Sequence, residues 1–466
     1  MESQIHKIHQ QLMNKEITCT KLVQDRLDLL KSNSYNTVNS LLDSKALKLA
    51  ANVDAKIKKG EEIGLLEGIP FGIKDVYMVQ GTYTTASSDL LKNYKSAYTA
   101  TAIQKLLDAG AIPLVKENCD SFGHGSSSEN TIFGAVKNAI NPDLVGGGSS
   151  GGSAVNVAKD YTVFSIGGDT GGSIRQPAGY NNVYGFKPTY GRISRFGLMA
   201  YASSTDCVGP IAKSTEDIRI VLNAMSGKDV KDQTTYISES ISEESLLNFD
   251  KIKTVGYFKN FLESEAIDNQ VKSDFLASIE KIKAQGIKVK ELDFFESDTL
   301  VSTYSTLAMA ETASNLSRLD GTNYGERIES DNLKDTYSIT RSENFSEESK
   351  RRIVGGNQVL SQGFSDEIYL KGLNLRDQIS DNFEKDFQEV DIILSPVTPS
   401  TPPKIGDSLK DPLAMYLSDA YTVGFSLGQL PTLTIPKGTA TGLQISAAKN
   451  NDKLVLQFAN FLNDLI

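Results

Sequence analysis

The hydrophobic positions change their period along the chain. Between residues 3 and 32 they recur every three to four places: Ile5, Ile8 and Leu12 share one helical face, and a second run carries Leu22, Val23, Leu27 and Leu30. This spacing predicts two amphipathic helices, the second capped by Thr18. From about residue 65 the apolar residues gather instead into short runs separated by helical stretches. Residues 71–73, 112–115, 161–166, 254–258, 287–292 and 392–394 read as strands. Residues 99–109 read as a helix stopped by Gly110. Another opens at 214-STED-217, which resembles a capping box, and ends at Gly227; a long one ends near Gly286. The alternation predicts an α/β fold: a large, mixed, mostly parallel β-sheet covered by helices on both faces. Residues 318–350, charged and aperiodic, read as a surface insertion or an excursion between helices. The proline-rich 395-SPVTPSTPP-403 reads as a rigid loop at the carboxyl edge of the sheet, where such sheets place their sites.

Charge and composition narrow the function. With 48 basic against 58 acidic residues, the net charge is −10. Such a chain lacks the phosphate-neutralising surface that dominates nucleic-acid affinity, so direct nucleic-acid binding is not expected. Cys19, Cys119 and Cys207 form no C-x-x-C pair, so a disulfide framework or thiolate metal site has no support. The first sixteen residues are polar, and no apolar run approaches the ~18 residues that span a membrane. A soluble, cytoplasmic protein without a metal is expected.

Two glycine–serine loops carry the candidate chemistry. The first, 146-GGGSSGGSA-154, contains G-x-G-x-x-G, but it follows the turn-like 141-NPDLV-145 rather than a strand. The acidic residue near the right distance, Asp169, lies inside another glycine-rich loop, and no G-K-[ST] tripeptide occurs. A nucleotide site is therefore disfavoured. The second loop, 167-GGDTGGSIRQP-177, follows a strand and runs into Ser173. Consecutive glycines can turn backbone N–H groups inward and form an anion nest. Beside a serine hydroxyl, such a nest serves as an oxyanion hole; two tight turns remain the plainer alternative. A nucleophilic serine needs a base. His6 and His9 lie on a predicted surface helix, which leaves His124, or Lys74 in 69-IPFGIKD-75 if burial keeps it neutral. An ordinary ion pair between Lys74 and Asp75 is the competing reading, and the sequence leaves these open.

Taken together, GIPFGIKD, GSSSENTIFG, GGGSSGGSA and GGDTGGSIRQPA resemble, in order and spacing, the amidase signature family, and Ser149 and Ser173 stand 24 residues apart as its two serines do. The resemblance implies a Ser–cis-Ser–Lys set: Ser173 the nucleophile, Ser149 the bridging serine entered through a cis peptide, Lys74 the base. It implies an oxyanion hole from Thr170, Gly171, Gly172 and Ser173. It also implies one amidase domain over residues 1–466, with an N-terminal helical region at 1–64, the signature core at 65–230, and a part at 231–466 that completes the sheet and the substrate pocket.

Within that family, 186-FKPTYGRISRFGLMAYASSTDCVGP-210, 311-ETASNLSRLDG-321 and 414-AMYLSDAYT-422 look like the A subunits of glutamyl-tRNA(Gln) amidotransferases. This narrower resemblance implies hydrolysis of glutamine and delivery of ammonia through a tunnel to a B subunit. That partner would hold the tRNA and use ATP and Mg²⁺, with a small C subunit clasping the pair; no cofactor is implied in this chain. Arg352 would pair with the glutamine α-carboxylate, Asp419 with its α-amino group, and Tyr304 would line the pocket. A stand-alone amidase of small amides is the alternative. Two departures stand out: 354-VGGNQVLSQG-363 is less apolar than the family pattern, and His124 occupies a position more often apolar, so it reads as pocket-adjacent.

Overall fold

The computed structural model describes residues 2–247, 252–438, 441–463 and 465. Its strands are β1 (Val38–Leu41), β2 (Pro70–Lys74), β3 (Ile112–Glu117), β4 (Phe164–Asp169), β5 (Tyr184–Lys187), β6 (Cys207–Ala212), β7 (Thr254–Phe258), β8 (Lys288–Leu292), β9 (Ile392–Pro396), β10 (Thr432–Ile435) and β11 (Leu443–Ser446). They form one sheet in the order β1-β3-β2-β4-β6-β5-β10-β11-β9-β7-β8. Every residue of β2 through β6 is buried, so helices and loops cover both faces of that region. Helix Gly151–Ala158 packs against β2, β4 and β6. Helix Arg175–Tyr180 lies on β5 and β10, and Asp452–Asn463 on β10 and β11.

The sheet is mixed, as the chain pattern predicts, but it is not mostly parallel. Six of its ten strand pairings are antiparallel and four are parallel. Every antiparallel pairing includes one of β1, β5, β6, β10 or β11, the strands that the apolar runs do not reveal. Four of those five are only four residues long, and β6 carries Gly209 and Pro210, so none presents a sustained apolar run. β4 also lies three residues further on than expected: it starts at Phe164 and runs through Gly167 and Gly168 to Asp169. The glycines at the start of the second loop therefore belong to the sheet.

The helical readings fare better. Gln4–Met13 and Cys19–Lys31 are the two N-terminal helices, and the Thr18 hydroxyl accepts from the Lys21 N–H. At 214-STED-217 the cap is one-sided. Ser214 Oγ accepts from the Asp217 N–H at 3.0 Å, but the Asp217 carboxylate turns to the N-terminal helix. It accepts from Ser3 Oγ at 2.6 Å and from the N–H groups of Gln4 and Ile5 at 3.1 Å each. The aperiodic stretch 318–350 contains helix Leu333–Asn344, which buries Thr336, Thr340 and Asn344. A helix whose buried face is polar leaves no trace in hydrophobic spacing. Among the described residues no helix is long and apolar enough to cross a membrane.

Candidate active site

The site is built on two neighbouring strand ends. β2 and β4 run parallel, with Gly72 opposite Ser165 and Ile73 opposite Ile166. This brings Lys74, the last residue of β2, beside the Gly167–Gly168 end of β4. Residue 72 has to be glycine in this packing, because a Cβ there would lie 1.8 Å from Glu117 Oε1.

Lys74 is buried, and its Nζ donates to Ser149 Oγ at 2.6 Å and to the Gly168 carbonyl at 3.4 Å. Burial lowers its pKa, against the upward pull of Cys119, Asp120, Asp169 and Asp206. None of these carboxylates touches the ammonium. The neighbouring Asp75 is taken elsewhere: it pairs with Lys116 at 2.7 Å and accepts from Thr85 Oγ1 at 2.5 Å and Asn39 Nδ2 at 2.9 Å. The ion pair between Lys74 and Asp75 that the sequence left open is not formed.

The two serines of the first loop are distinct. Ser149 follows a cis peptide from Gly148 and meets Lys74. Ser150 bonds instead to the Gly168 backbone, donating to its carbonyl at 3.2 Å and accepting from its N–H at 3.3 Å. The loop's glycines permit close approach. A Cβ on Gly148 would lie 2.2 Å from Asp120 Oδ2, and one on Gly152 2.4 Å from the Asn118 carbonyl. Gln176 fixes the turn from across the site, accepting from the Gly148 N–H at 2.9 Å and donating to the Ser126 carbonyl at 2.7 Å.

The second loop lies against the first, the Ser150 N–H donating to the Ser173 carbonyl at 3.1 Å. Its ends are pinned. Thr170 Oγ1 donates to Asp206 at 2.7 Å. Asp169 pairs with Arg175 at 2.9 Å and caps the backbone N–H of Ile174 at 3.1 Å. Burial alone would raise the Asp169 pKa, but Arg175 overrides it and the carboxylate stays ionised. Between these pins, the N–H groups of Gly171, Gly172 and Ser173 donate to no acceptor among the described residues. Tyr304 closes over the loop, where a Cβ on Gly171 would come 2.6 Å from the phenol ring. Thr422 stands over Gly172, 2.4 Å from where a Cβ would be.

Arg352 and Tyr304 reach this region from helices Glu347–Leu360 and Ser297–Asn315, and Asp419 from the turn after helix Pro412–Leu417. Arg352, on helix Glu347–Leu360, donates from Nε to Glu348 at 2.7 Å and from Nη1 to the Tyr201 hydroxyl. Burial works against its charge, yet Tyr201 and Glu348 outweigh it and raise its pKa. Asp419 is half-buried, with Oδ2 accepting from Ser126 Oγ at 2.5 Å, while its buried Oδ1 has no partner among the described residues. Burial pushes this carboxyl up to about 7. The Tyr304 hydroxyl lies 3.3 Å from that of Tyr201. His124 is buried behind Tyr201, with Nδ1 2.9 Å from Ser349 Oγ, and bonds to neither Ser149 nor Ser173.

A cavity of about 20 Å³ borders Lys74, Ser149 and Thr170, room for about one water. A larger one of about 140 Å³ lies beyond Ser126 and Gln176, roofed by Met415 and Ser418. Tyr201, Glu348, Ser126, Thr422 and Asp206 were not singled out from sequence. Tyr201 and Asp206 lie in the quoted 186–210 segment, Ser126 in GSSSEN and Thr422 at the end of 414-AMYLSDAYT-422, so the motifs held a signal for them. Glu348 gave none beyond its place four residues before Arg352.

A buried lysine on a serine at a cis peptide, set against a glycine loop of unpaired N–H groups, defines an amidase. The chain belongs to the amidase family, whose pattern it matches over residues 19–456. Within that family it is similar to the A subunits of glutamyl-tRNA(Gln) amidotransferases. It is 43% identical to that of Heliobacterium modesticaldum, over 97% of this chain and 95% of the relative. It is 40% identical to that of Agathobacter rectalis, over 97% and 92%. The crystal structure of the glutamyl-tRNA(Gln) amidotransferase A subunit from Thermotoga maritima superposes with a TM-score of 0.78 at 32% identity, covering 95% of this chain and 91% of that one.

Proposed function

We propose that the chain is the glutamine-hydrolysing A subunit of a glutamyl-tRNA(Gln) amidotransferase, releasing ammonia through a Ser173 acyl-enzyme. The observation that carries this reading is the presence of a buried guanidinium, Arg352, and a half-buried carboxyl, Asp419, beside the Ser–Lys loops. An α-amino acid presents one group of each sign, and Asp419 Oδ1 is an unpaired acceptor suited to an ammonium. Neutral Lys74 accepts the Ser149 proton while Ser149 accepts that of Ser173. The freed Ser173 Oγ bonds to the side-chain carbonyl carbon of glutamine, and the backbone N–H groups of residues 170–173 hold the oxyanion. As the tetrahedral intermediate collapses, the C–N bond breaks and Ser149 returns a proton to the leaving ammonia. Water then attacks the glutamyl ester, giving glutamate and restoring Ser173.

The ammonia passes to a B subunit that binds the tRNA and supplies ATP and Mg²⁺ chemistry, with a C subunit completing a cytoplasmic heterotrimer. The acidic balance of this chain fits a subunit that does not itself grip RNA. Ser173→Ala tests the assignment in the reconstituted complex. It abolishes glutamine-dependent amidation of Glu-tRNA(Gln) but leaves ammonia-dependent amidation intact. Rapid turnover of simple aliphatic amides by the isolated chain, with no effect of the partners, would instead favour a stand-alone amidase.

A further inference from the structure

Arg352 does not bring all five of its N–H donors to a substrate. Its Nε is held by Glu348 and one Nη1 proton by Tyr201, which leaves the second Nη1 proton and both Nη2 protons without an acceptor among the described residues. A substrate carboxylate offers about four lone-pair sites, so it has room for a further donor beside the guanidinium. His124 has one to give. Ser346 Oγ donates to Ser349 Oγ at 3.0 Å, and Ser349 lies 2.9 Å from His124 Nδ1. With Ser349 donating its own proton to Nδ1, the tautomer on which the inference rests, the ring proton is on Nε2. That Nε2 is buried and meets no partner among the described residues, an arrangement that is costly unless something fills it. The ring stands edge-on to Tyr201, centroids 4.7 Å apart, and the Arg352 guanidinium lies 5.4 Å from the same tyrosine ring.

We propose that His124 is a specificity-determining residue whose Nε2–H takes the second oxygen of the substrate α-carboxylate beside Arg352. This rests on the reading of Arg352 as the carboxylate anchor. Burial, and then the charge of Arg352, keeps the ring neutral, so it donates without adding a second cation to the pocket. Ser349 lies one helical turn before Arg352 on the same helix, so the two donors keep a fixed relation. His124 acts on choice of substrate, not on proton transfer.

The test compares L-glutamine with 4-aminobutanamide, the same amide lacking the α-carboxylate, on the assembled complex. For His124→Leu the ratio of kcat/KM between the two substrates falls by about 10- to 100-fold, mainly through KM for glutamine. His124→Gln, which keeps an N–H near the Nε2 position, recovers most of that ratio. Ser349→Ala, which leaves the imidazole packed but unanchored, lowers it by a smaller factor and serves if His124→Leu fails to fold. Equal losses on both substrates, or an unchanged ratio, would overturn the inference and leave His124 a packing residue. A wild-type complex that does not hydrolyse glutamine overturns the glutaminase reading as well, so the two failures are distinguishable.

Discussion

Glu117 gives a test of the packing beneath Lys74. The side chain lies against Gly72 on β2, two residues before Lys74, and is completely buried. Its Oε1 accepts from Asn156 at 2.9 Å and Ser165 at 2.7 Å, and its Oε2 has no partner. Burial pushes the carboxyl up to about 7, against the donors that favour its ionised form, from an ordinary 4.5. Between those values the folded chain holds a proton that the unfolded chain has released. Stability therefore falls as pH rises through that window and levels off above it. The gap corresponds to about 3 kcal/mol. Glu117→Gln keeps the Oε1 acceptor, places an N–H where the acid carries its O–H, and cannot ionise. The variant matches the wild type near pH 4 and exceeds it by about 3 kcal/mol above pH 8. The chain has no tryptophan, so urea denaturation followed by circular dichroism at several pH values is the suitable measurement. A difference that does not change with pH, or a wild type more stable at pH 8, would refute the buried, protonated carboxyl.

Two further outcomes concern the reaction. Lys74→Ala loses at least several orders of magnitude in kcat, on the scale of other catalytic triads missing a member. Because only neutral lysine accepts a proton, wild-type kcat/KM rises with pH below the usual lysine value, and the ionisation of Asp419, pushed up to about 7, adds to the same rise. Near-normal rates in Lys74→Ala would contradict the scheme and bring other bases into consideration. Gly171→Ala places a methyl group 2.6 Å from the Tyr304 ring and disturbs the N–H groups of the oxyanion loop, so kcat falls by about 100-fold or more. Unchanged steady-state kinetics in that variant would place the oxyanion elsewhere.

The sequence showed the parts of this molecule that depend on local chemistry. Apolar runs located β2, β3, β4, β7, β8 and β9, the strands that pair in parallel. They missed the short antiparallel strands, whose burial is settled by distant partners such as Lys187 against Thr432. Motif spacing brought together Lys74, Ser149 and Ser173, and the structure gathers them at two adjoining strand ends. The competing reading of Lys74 turned on the partner of Asp75, and that partner, Lys116, lies on another strand where no spacing rule reaches. The same holds for Arg352: its match to a motif could not reveal that Glu348 and Tyr201 already occupy two of its donors.

The placement of Lys74 on β2 and of the Ser173 loop after β4 has a consequence for how this scaffold can diversify. Their relative position is set by a main-chain ladder, which side-chain changes leave largely intact. Arg352 and Tyr304 come from helices, and Asp419 from a turn, in the later part of the chain. On the proposed function, substitutions in those segments retune which amide is admitted while Lys74 and the Ser173 loop stay registered, so that reaction and choice of substrate are separable traits of one chain.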